Sequence, residues 1–301
     1  MANITAALIQ ELREKTAAGM MDCKAALSEN NGDIEAAADW LRQKGIVKAA
    51  KKADRVAASG LVAAAKSEGG TFGVIVELNA ETDFVAKNEM FQKLVHDTTA
   101  KALEMKGDFD TVAAAMSDEI KNTISTIGEN MTLRRITSVS GDAVYTYVHN
   151  AMVPGMGQIG VVVAINGDPS VHSTAEASIA ASADIGPKIA MHIAANKPEF
   201  ATIDQVDPNA VEREKKVFIE SGATEGKPEQ VVEKMVEGRI KKYYGESVLN
   251  EQPFVMDPDK TVGQILSAAG LTLAGFAYYL LGEGIEKRED NLADEVAKML
   301  Q

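Results

Sequence analysis

The sequence predicts an α+β protein built from a small helical bundle, a duplicated α+β core with antiparallel sheets, an inserted helical hairpin and a terminal amphipathic helix. Three observations carry that reading. The first 45 or so residues hold three short stretches with apolar residues at helical spacing. The window Gly70-Thr-Phe-Gly-Val-Ile-Val-Glu-Leu-Asn79 aligns without a gap on Gly157-Gln-Ile-Gly-Val-Val-Val-Ala-Ile-Asn166, with five identities. Each copy follows another strand-like run, at 59–65 and 143–149, so each opens with a β-hairpin and continues into helical sequence. Finally, residues 207–244 are charged with a sparse apolar stripe, as a hairpin of two helices resembling a short antiparallel coiled coil requires.

Taken in order, Thr5 is placed to cap a helix carrying Leu8, Ile9 and Leu12, which ends near 16–19. A second helix is expected over 20–28. Asn30-Asn-Gly-Asp33 is a turn, and Asp33 caps a third helix through Ala37, Trp40 and Leu41. A unit of this size has a thin core and gains from docking on a partner. Met20 and Met21 either fill gaps in that core or form an adaptable surface beside the first turn; the pattern leaves both open. Cys23 has no second cysteine and packs as a small apolar residue.

Between the strand at 72–78 and helical sequence beginning near Phe84 lies a strand-to-helix turn, Asn79 to Asn88. Thr82 and Asp83 are N-cap types, and on pattern alone Phe84 and Phe91, seven residues apart, are core anchors of one helix over 84–106. Further helices are expected over 117–130, closing at Gly128, and over 187–196. Gly155-Met-Gly-Gln-Ile-Gly160 matches the dinucleotide fingerprint, but the fingerprint needs a helix directly after the glycines, and Val161-Val-Val-Ala-Ile165 reads as a strand. A glycine-rich hairpin loop is expected there instead. With no Walker loop anywhere, the chain itself is expected to bind no nucleotide.

In the charged insertion, Val211 and Phe218 lie on one helix, Val231, Val232, Met235 and Ile240 on the next, with the turn at 222–228 and Pro228 at a first helical position. The chain then returns through Phe254-Val-Met, a helix over 261–269 and a strand over 271–281. Last, Leu292, Val296 and Met299 form an i, i+4, i+7 stripe that must be buried on the chain's own body or on a partner helix. The expected domains are 1–55, 56–140, 141–197 with 246–284, 198–245, and 285–301.

Composition narrows the function. The 301 residues are 46% hydrophobic and 25% charged, ordinary globular values, with one cysteine and a net charge of −13. Residues 1–55 hold 9 basic and 8 acidic residues, so the acidic excess lies in the remainder and disfavours binding to nucleic acid. Lys48, Lys51, Lys52 and Arg55 make a small basic cluster, read as a solvated face. One cysteine, no basic-then-apolar leader and no run of ~18 to 20 apolar residues point to a soluble, cytoplasmic protein that does not enter a membrane. His96, His149, His172 and His192 are scattered and give no metal-ligand spacing, and no nucleophile elbow occurs. Neither a metal, a cofactor nor an enzymatic activity is expected.

The string Thr82-Asp-Phe-Val-Ala-Lys-Asn88 resembles the hallmark of the bacterial elongation factor Ts family, the nucleotide-exchange factors of the GTPase elongation factor Tu. Glu11-Leu-Arg-Glu-Lys-Thr-Ala-Ala-Gly-Met-Met-Asp-Cys-Lys-Ala-Ala-Leu27 resembles the family's other signature. Ile189-Ala-Met-His-Ile-Ala-Ala, Val236-Glu-Gly-Arg, Gln252-Pro-Phe-Val-Met and Gly282-Glu-Gly-Ile-Glu286 follow in family order, so the resemblance spans essentially the whole chain.

The resemblance implies that residues 1–55 form a ubiquitin-associated-type (UBA-like) domain. Its face, with Arg13, Met20, Met21 and Lys24, would contact the GTPase's nucleotide-binding domain. Ala17 stands where the family usually has glycine, and Pro187 where it often has a charged residue. Phe84 is implied to be an apolar wedge between helices of the GTPase, and Asp83 the acidic neighbour that disturbs the network around its magnesium, with Thr82 and Val85 completing the tip. His149 aligns with a contact position, whereas His192 is read as structural. The hairpin would serve assembly, as a homodimer, a two-to-two assembly or a contact with the GTPase, and Leu292, Val296 and Met299 would meet the GTPase. The implied partner is elongation factor Tu, both GDP-bound and nucleotide-free. A rival reading is a scaffold protein that binds through its N-terminal bundle and helical arm, with 82–85 merely a structural turn.

Overall fold

The computed structural model describes residues 4–16, 18–50 and 52–286. Ala17, Lys51 and the expected terminal helix with Leu292, Val296 and Met299 lie outside the described residues. The chain forms two compact units. One comprises Met1–Ala63, Val76–Ile136 and Leu280–Gln301, the other Ala64–Ile75 and Thr137–Tyr279.

In the first unit, α1 (Ala6–Thr16) starts where the Leu8 N–H reaches the Thr5 hydroxyl at 3.3 Å. After α2 (Met20–Glu29), the Asp33 carboxylate accepts from the Ala36 N–H at 2.9 Å and opens α3 (Ile34–Ala50). Leu12, Cys23, Ala26, Leu27 and Ala37 are fully buried between these helices. That core is thin, as the sequence indicates, and α3 also packs on α6 (Phe109–Ile127).

The expected first hairpin is β1 (Ser59–Lys66) and β2 (Phe72–Ala80), and the second is β4 (Ala143–His149) and β6 (Ile159–Gly167). In the second, antiparallel register runs from Ala143 opposite Ile165 to His149 opposite Ile159. The glycine-rich segment between them leads through β5 (Met156–Gly157) into β6, so strand and not helix follows the glycines of the apparent fingerprint. With β3 (Met131–Ser140) and β9 (Leu271–Leu280), the sheets are ordered β3-β2-β1-β5 and β4-β6-β9. A third pairs β7 (Pro253–Phe254) with β8 (Asp257–Thr261).

Several boundaries differ from the sequence reading, and local hydrogen bonds account for them. The single helix expected over 84–106 is two, α4 (Asp83–Ala86) and α5 (Glu89–Glu104), because the Asn88 side chain accepts from the Met90 and Phe91 N–H groups at 2.9 and 3.4 Å and starts a fresh helix. α6 begins eight residues before the expected 117, since Asp108 caps it by accepting from the Thr111 N–H at 2.8 Å. α7 (Ala175–Ser182) was not anticipated. α8 (Ile185–Asn196) starts before Pro187, which therefore sits in its first turn, where a missing N–H costs nothing. The charged insertion is a helical hairpin of α9 (Pro208–Phe218), a π-helical turn at Ile219–Ala223 and α10 (Glu229–Ser247), with Pro228 at the N-cap rather than inside α10. Arg239 Nε donates to Glu214 across the hairpin at 2.7 Å. α11 (Val262–Ala268) carries a full capping box between Thr261 and Gln264.

The core of the second unit joins Val161, Val163 and Ile165 of β6 to Ile189 and Ile193 of α8, closed by Leu249, Phe254, Leu266 and Leu271. Fully buried beside it is His192. Its Nδ1 accepts the Val255 N–H at 3.2 Å, so Nε2 carries the proton and donates to Gln252 Oε1 at 2.9 Å. Burial disfavours the imidazolium and lowers its pKa, against a smaller opposing effect of Gln252. His192 is thus a neutral structural bridge between α8 and the 252–255 segment.

In the first unit the corresponding polar element is Glu77 on β2, with no exposed surface. Its carboxylate accepts from Arg134 Nη1 at 3.0 Å, Arg135 Nε at 2.6 Å, Asn79 Nδ2 at 3.1 Å and the Gly282 N–H at 2.8 Å. Burial pushes its pKa up, but the Gly282 bond, then Arg135, Asn79 and Arg134, outweigh it and hold the carboxyl below its ordinary value. Gly282 can approach because it has no side chain: at its φ of 71°, a Cβ would lie 2.3 Å from the Ala58 carbonyl oxygen.

Replacing Glu77 by Gln is expected to cost about 3 kcal/mol in urea unfolding, since it removes the negative charge that two guanidinium groups share and sets an NH₂ donor against one of them. For His192, the unfolded imidazole takes up a proton near its ordinary value of 6.5 while the folded one resists it, so folding stability is full above that pH and falls as pH drops through it. The urea midpoint of the unmodified protein should therefore decline between pH 7.5 and 5.5 more steeply than that of His192→Gln.

Candidate functional site

β2 ends at Ala80, and Glu81 and Thr82 carry the chain out of the sheet into α4. Thr82 occupies the N-cap position in an extended conformation, yet its side chain does not cap the helix. Instead its hydroxyl donates to Glu129 Oε1 at 2.8 Å and its N–H to Glu129 Oε2 at 2.9 Å. One residue away the exchange is reversed: Glu81 Oε1 accepts the Asn130 N–H at 2.5 Å. Glu129 and Asn130 follow Gly128, whose φ of 94° ends α6 in the left-handed conformation that glycine adopts without strain. The far side of α4 is fixed too, by the Asn88 N–H to the Val85 carbonyl at 2.9 Å and by Gln92 Nε2 to the Ala86 carbonyl at 3.0 Å.

This four-residue helix divides its side chains sharply. Val85 and Ala86 are 4% and 3% exposed, while Phe84 is 75% exposed and Asp83 is also at the surface. Phe91, the other expected core anchor, is fully buried. Pattern alone paired Phe84 with Phe91 on one helical face; the break at Asn88 separates them and leaves Phe84 outside. Val85 needs a correction in the other direction. Expected as part of an intruding tip, it is packed beneath the turn, and the exposed surface of the turn is Asp83 and Phe84 with Thr82 at its root. Lys87 Nζ lies 6.0 Å from the Phe84 ring centroid, a cation–π contact at the rim.

The other expected contact residues fall into separate places. Met20 and Met21 are 60% and 75% exposed, which resolves their alternatives in favour of a surface. Arg13 and Lys24 are exposed beside them, and Ala6, Ile9, Gln10 and Arg13 line a shallow groove against Met20. Cys23 is buried under this face, its thiol pKa pushed up by burial. His149 belongs to the second unit, exposed at the end of β4, with Nδ1 3.0 Å from the Tyr147 hydroxyl. Among the described residues no cluster of three or more His, Cys, Asp or Glu could hold a metal, and no helix is long and apolar enough to cross a membrane.

Sequence reasoning did not find Glu81, Glu129 and Asn130. Their pairing joins positions 47 and 49 residues apart, a distance at which no periodicity speaks; the only local signal was the glycine that ends α6.

Comparison with known proteins gives one answer. A family model described as elongation factor TS matches residues 81–283. The chain is 55% identical to elongation factor Ts of Hyphomonas neptunium, with 99% of each chain covered. It is 51% identical to elongation factor Ts of Paracoccus denitrificans over 98% of each chain, and 50% identical to that of Caulobacter vibrioides over 99% of each.

The burial pattern of α4 predicts opposite outcomes for adjacent residues. Phe84→Ala should change the unfolding free energy by no more than about 0.5 kcal/mol, as for an exposed side chain. Val85→Ala should lower it by roughly 2 kcal/mol through the lost packing. Equal losses in urea unfolding would contradict the division.

Proposed function

The chain belongs to the elongation factor Ts family, and from that premise we propose that it is a guanine-nucleotide exchange factor for elongation factor Tu, acting in translation elongation in the cytoplasm. The observation that carries the mechanism is an exposed phenylalanine beside an exposed carboxylate, on a turn braced at both ends. A large apolar side chain left in water forgoes roughly 1.5 to 3 kcal/mol of burial free energy. Binding to a partner is where Phe84 recovers it.

On this reading Phe84 inserts between helices of the GTPase, and Asp83 enters the network of water and side chains around the GTPase's magnesium. Mg²⁺ bridges the phosphates to protein groups, so disturbing the groups that orient its ligands weakens the hold on GDP. The factor makes and breaks no bond. It binds the nucleotide-free GTPase more tightly than the GDP complex, and by linkage GDP affinity falls by the same ratio. Met20, Met21, Arg13 and Lys24 supply an adaptable apolar and basic surface that anchors the complex, and His149 and the terminal stripe Leu292, Val296 and Met299 add further contacts. The helical hairpin serves assembly.

Stopped-flow release of fluorescent GDP from elongation factor Tu tests the proposal. The unmodified protein should accelerate release, Phe84→Ala should lose roughly tenfold or more of that acceleration, and low free magnesium should restore part of it. Binding without acceleration by the unmodified protein would favour the scaffold reading.

A further inference from the structure

We propose that Glu129 is a positioning residue for the exchange tip, an inference that rests on the exchange reading above. Glu129 acts at the root of α4, on Thr82. Its two carboxylate oxygens accept the two donors of Thr82, at 2.9 and 2.8 Å, and so fix both the backbone and the side chain of the residue from which Asp83 and Phe84 project. Bidentate acceptance by one carboxylate restrains rotation as well as distance, which a single hydrogen bond does not.

The anchor is itself held. Gly128, just before it, receives Lys52 Nζ on its carbonyl. Asn130, just after it, is 5% exposed and donates its side-chain Nδ2 to the carbonyls of Ala53 and Arg55 at 3.3 and 2.7 Å, while its N–H goes to Glu81. Arg55 Nη1 lies 3.5 Å from the same Glu81 oxygen. The 128–130 turn therefore grips the chain on two sides: the root of the tip, and the segment that descends from the N-terminal bundle.

The contacts also share one sense. Residue 77 meets 134, 81 meets 130 and 82 meets 129, so each step forward along one segment is a step back along the other. Side-chain bonds from Glu81 and Glu129 thus continue, past the end of β2, the antiparallel alignment that Glu77 and Arg134 fix within the sheet. Carboxylates take over where the backbone ladder stops, and the tip inherits the sheet's rigidity. A wedge must arrive in the geometry that opens its target, and a misplacement of about 1 Å can cost a hundredfold in rate.

The test is GDP release from elongation factor Tu at varied concentrations of the full-length factor. With Glu129→Ala, the maximal release rate should fall roughly ten- to a hundredfold, while the concentration for half-maximal effect moves by less than about threefold. Urea unfolding should show the variant folded. Glu129→Gln should stay within about threefold of the unmodified rate, because its amide oxygen accepts the Thr82 N–H and its NH₂ donates to the Thr82 hydroxyl. Thr82→Val removes only the hydroxyl bond and should lose less than Glu129→Ala. The double variant should be no slower than Glu129→Ala alone, since the two act through one contact. An unmodified maximal rate in Glu129→Ala, or multiplying losses in the double variant, overturns the positioning role. No acceleration by the unmodified factor would instead overturn the exchange reading.

Discussion

Glu77 is a charge with no surface, and the arrangement of the first unit depends on its being satisfied. A carboxylate taken out of water loses several kcal/mol of hydration unless charges and donors replace it; here two arginines, an asparagine amide and a backbone N–H do so. The four partners come from three stretches: Asn79 from β2 itself, Arg134 and Arg135 from β3, Gly282 from the turn after β9. A one-residue slip of β3 against β2 would turn alternate side chains to the opposite face and break the set. The buried charge therefore selects one register, a role in specificity more than in net stability. Because β2 runs on into the tip and β3 follows directly from Glu129 and Asn130, that register also decides which residues meet beyond the strand ends.

The two hairpins, the three N-terminal helices and the helical insertion were legible in the sequence because local signals specify them: alternation, caps and turn residues. The misplaced boundaries share a cause. Asn88 and Asp108 are ordinary polar residues until their side chains accept N–H groups two or three residues on, and only then do they start helices. β3 was hidden because Arg134 and Arg135 interrupt any apolar pattern, and they are there to meet a carboxylate 57 and 58 residues away. Of the candidate site, the turn and its projecting Phe84 were legible by motif, whereas pattern alone put Phe84 in the core and neither reading showed the burial of Val85. The same four letters allow either face to turn inward until Asn88 ends the helix.

Phe84, Met20 and Met21 have in common that they project away from the packed core. Phe84 projects from a turn held by hydrogen bonds on both sides, and Met20 and Met21 from a helix whose packing uses Cys23, Ala26 and Leu27 on another face. Such side chains can be matched to a partner without compromise with the core, whereas Val85 and Phe91, their neighbours in sequence, are committed to it. Division of labour between adjacent residues is what lets so small an element as α4 present an exposed phenylalanine at all. A four-residue helix is far too short to persist alone, since nucleating a helix costs more than one turn returns.

That last constraint explains why the bracing comes from outside the helix. With no length of its own, α4 owes its conformation to Thr82 held by Glu129 at one end and to Asn88 and Gln92 at the other. A tip fixed before it meets a partner gives up less conformational freedom on binding, so more of the contact free energy remains to distort the target. An exchange factor needs that surplus, because its effect equals the difference between its affinities for two states of the GTPase and grows only with contacts that one state satisfies and the other does not. A yielding tip would adapt to both states and separate them poorly. On the exchange proposal, rigidity at Thr82, supplied across 47 residues by one carboxylate, is what would let an exposed phenylalanine discriminate between the two states.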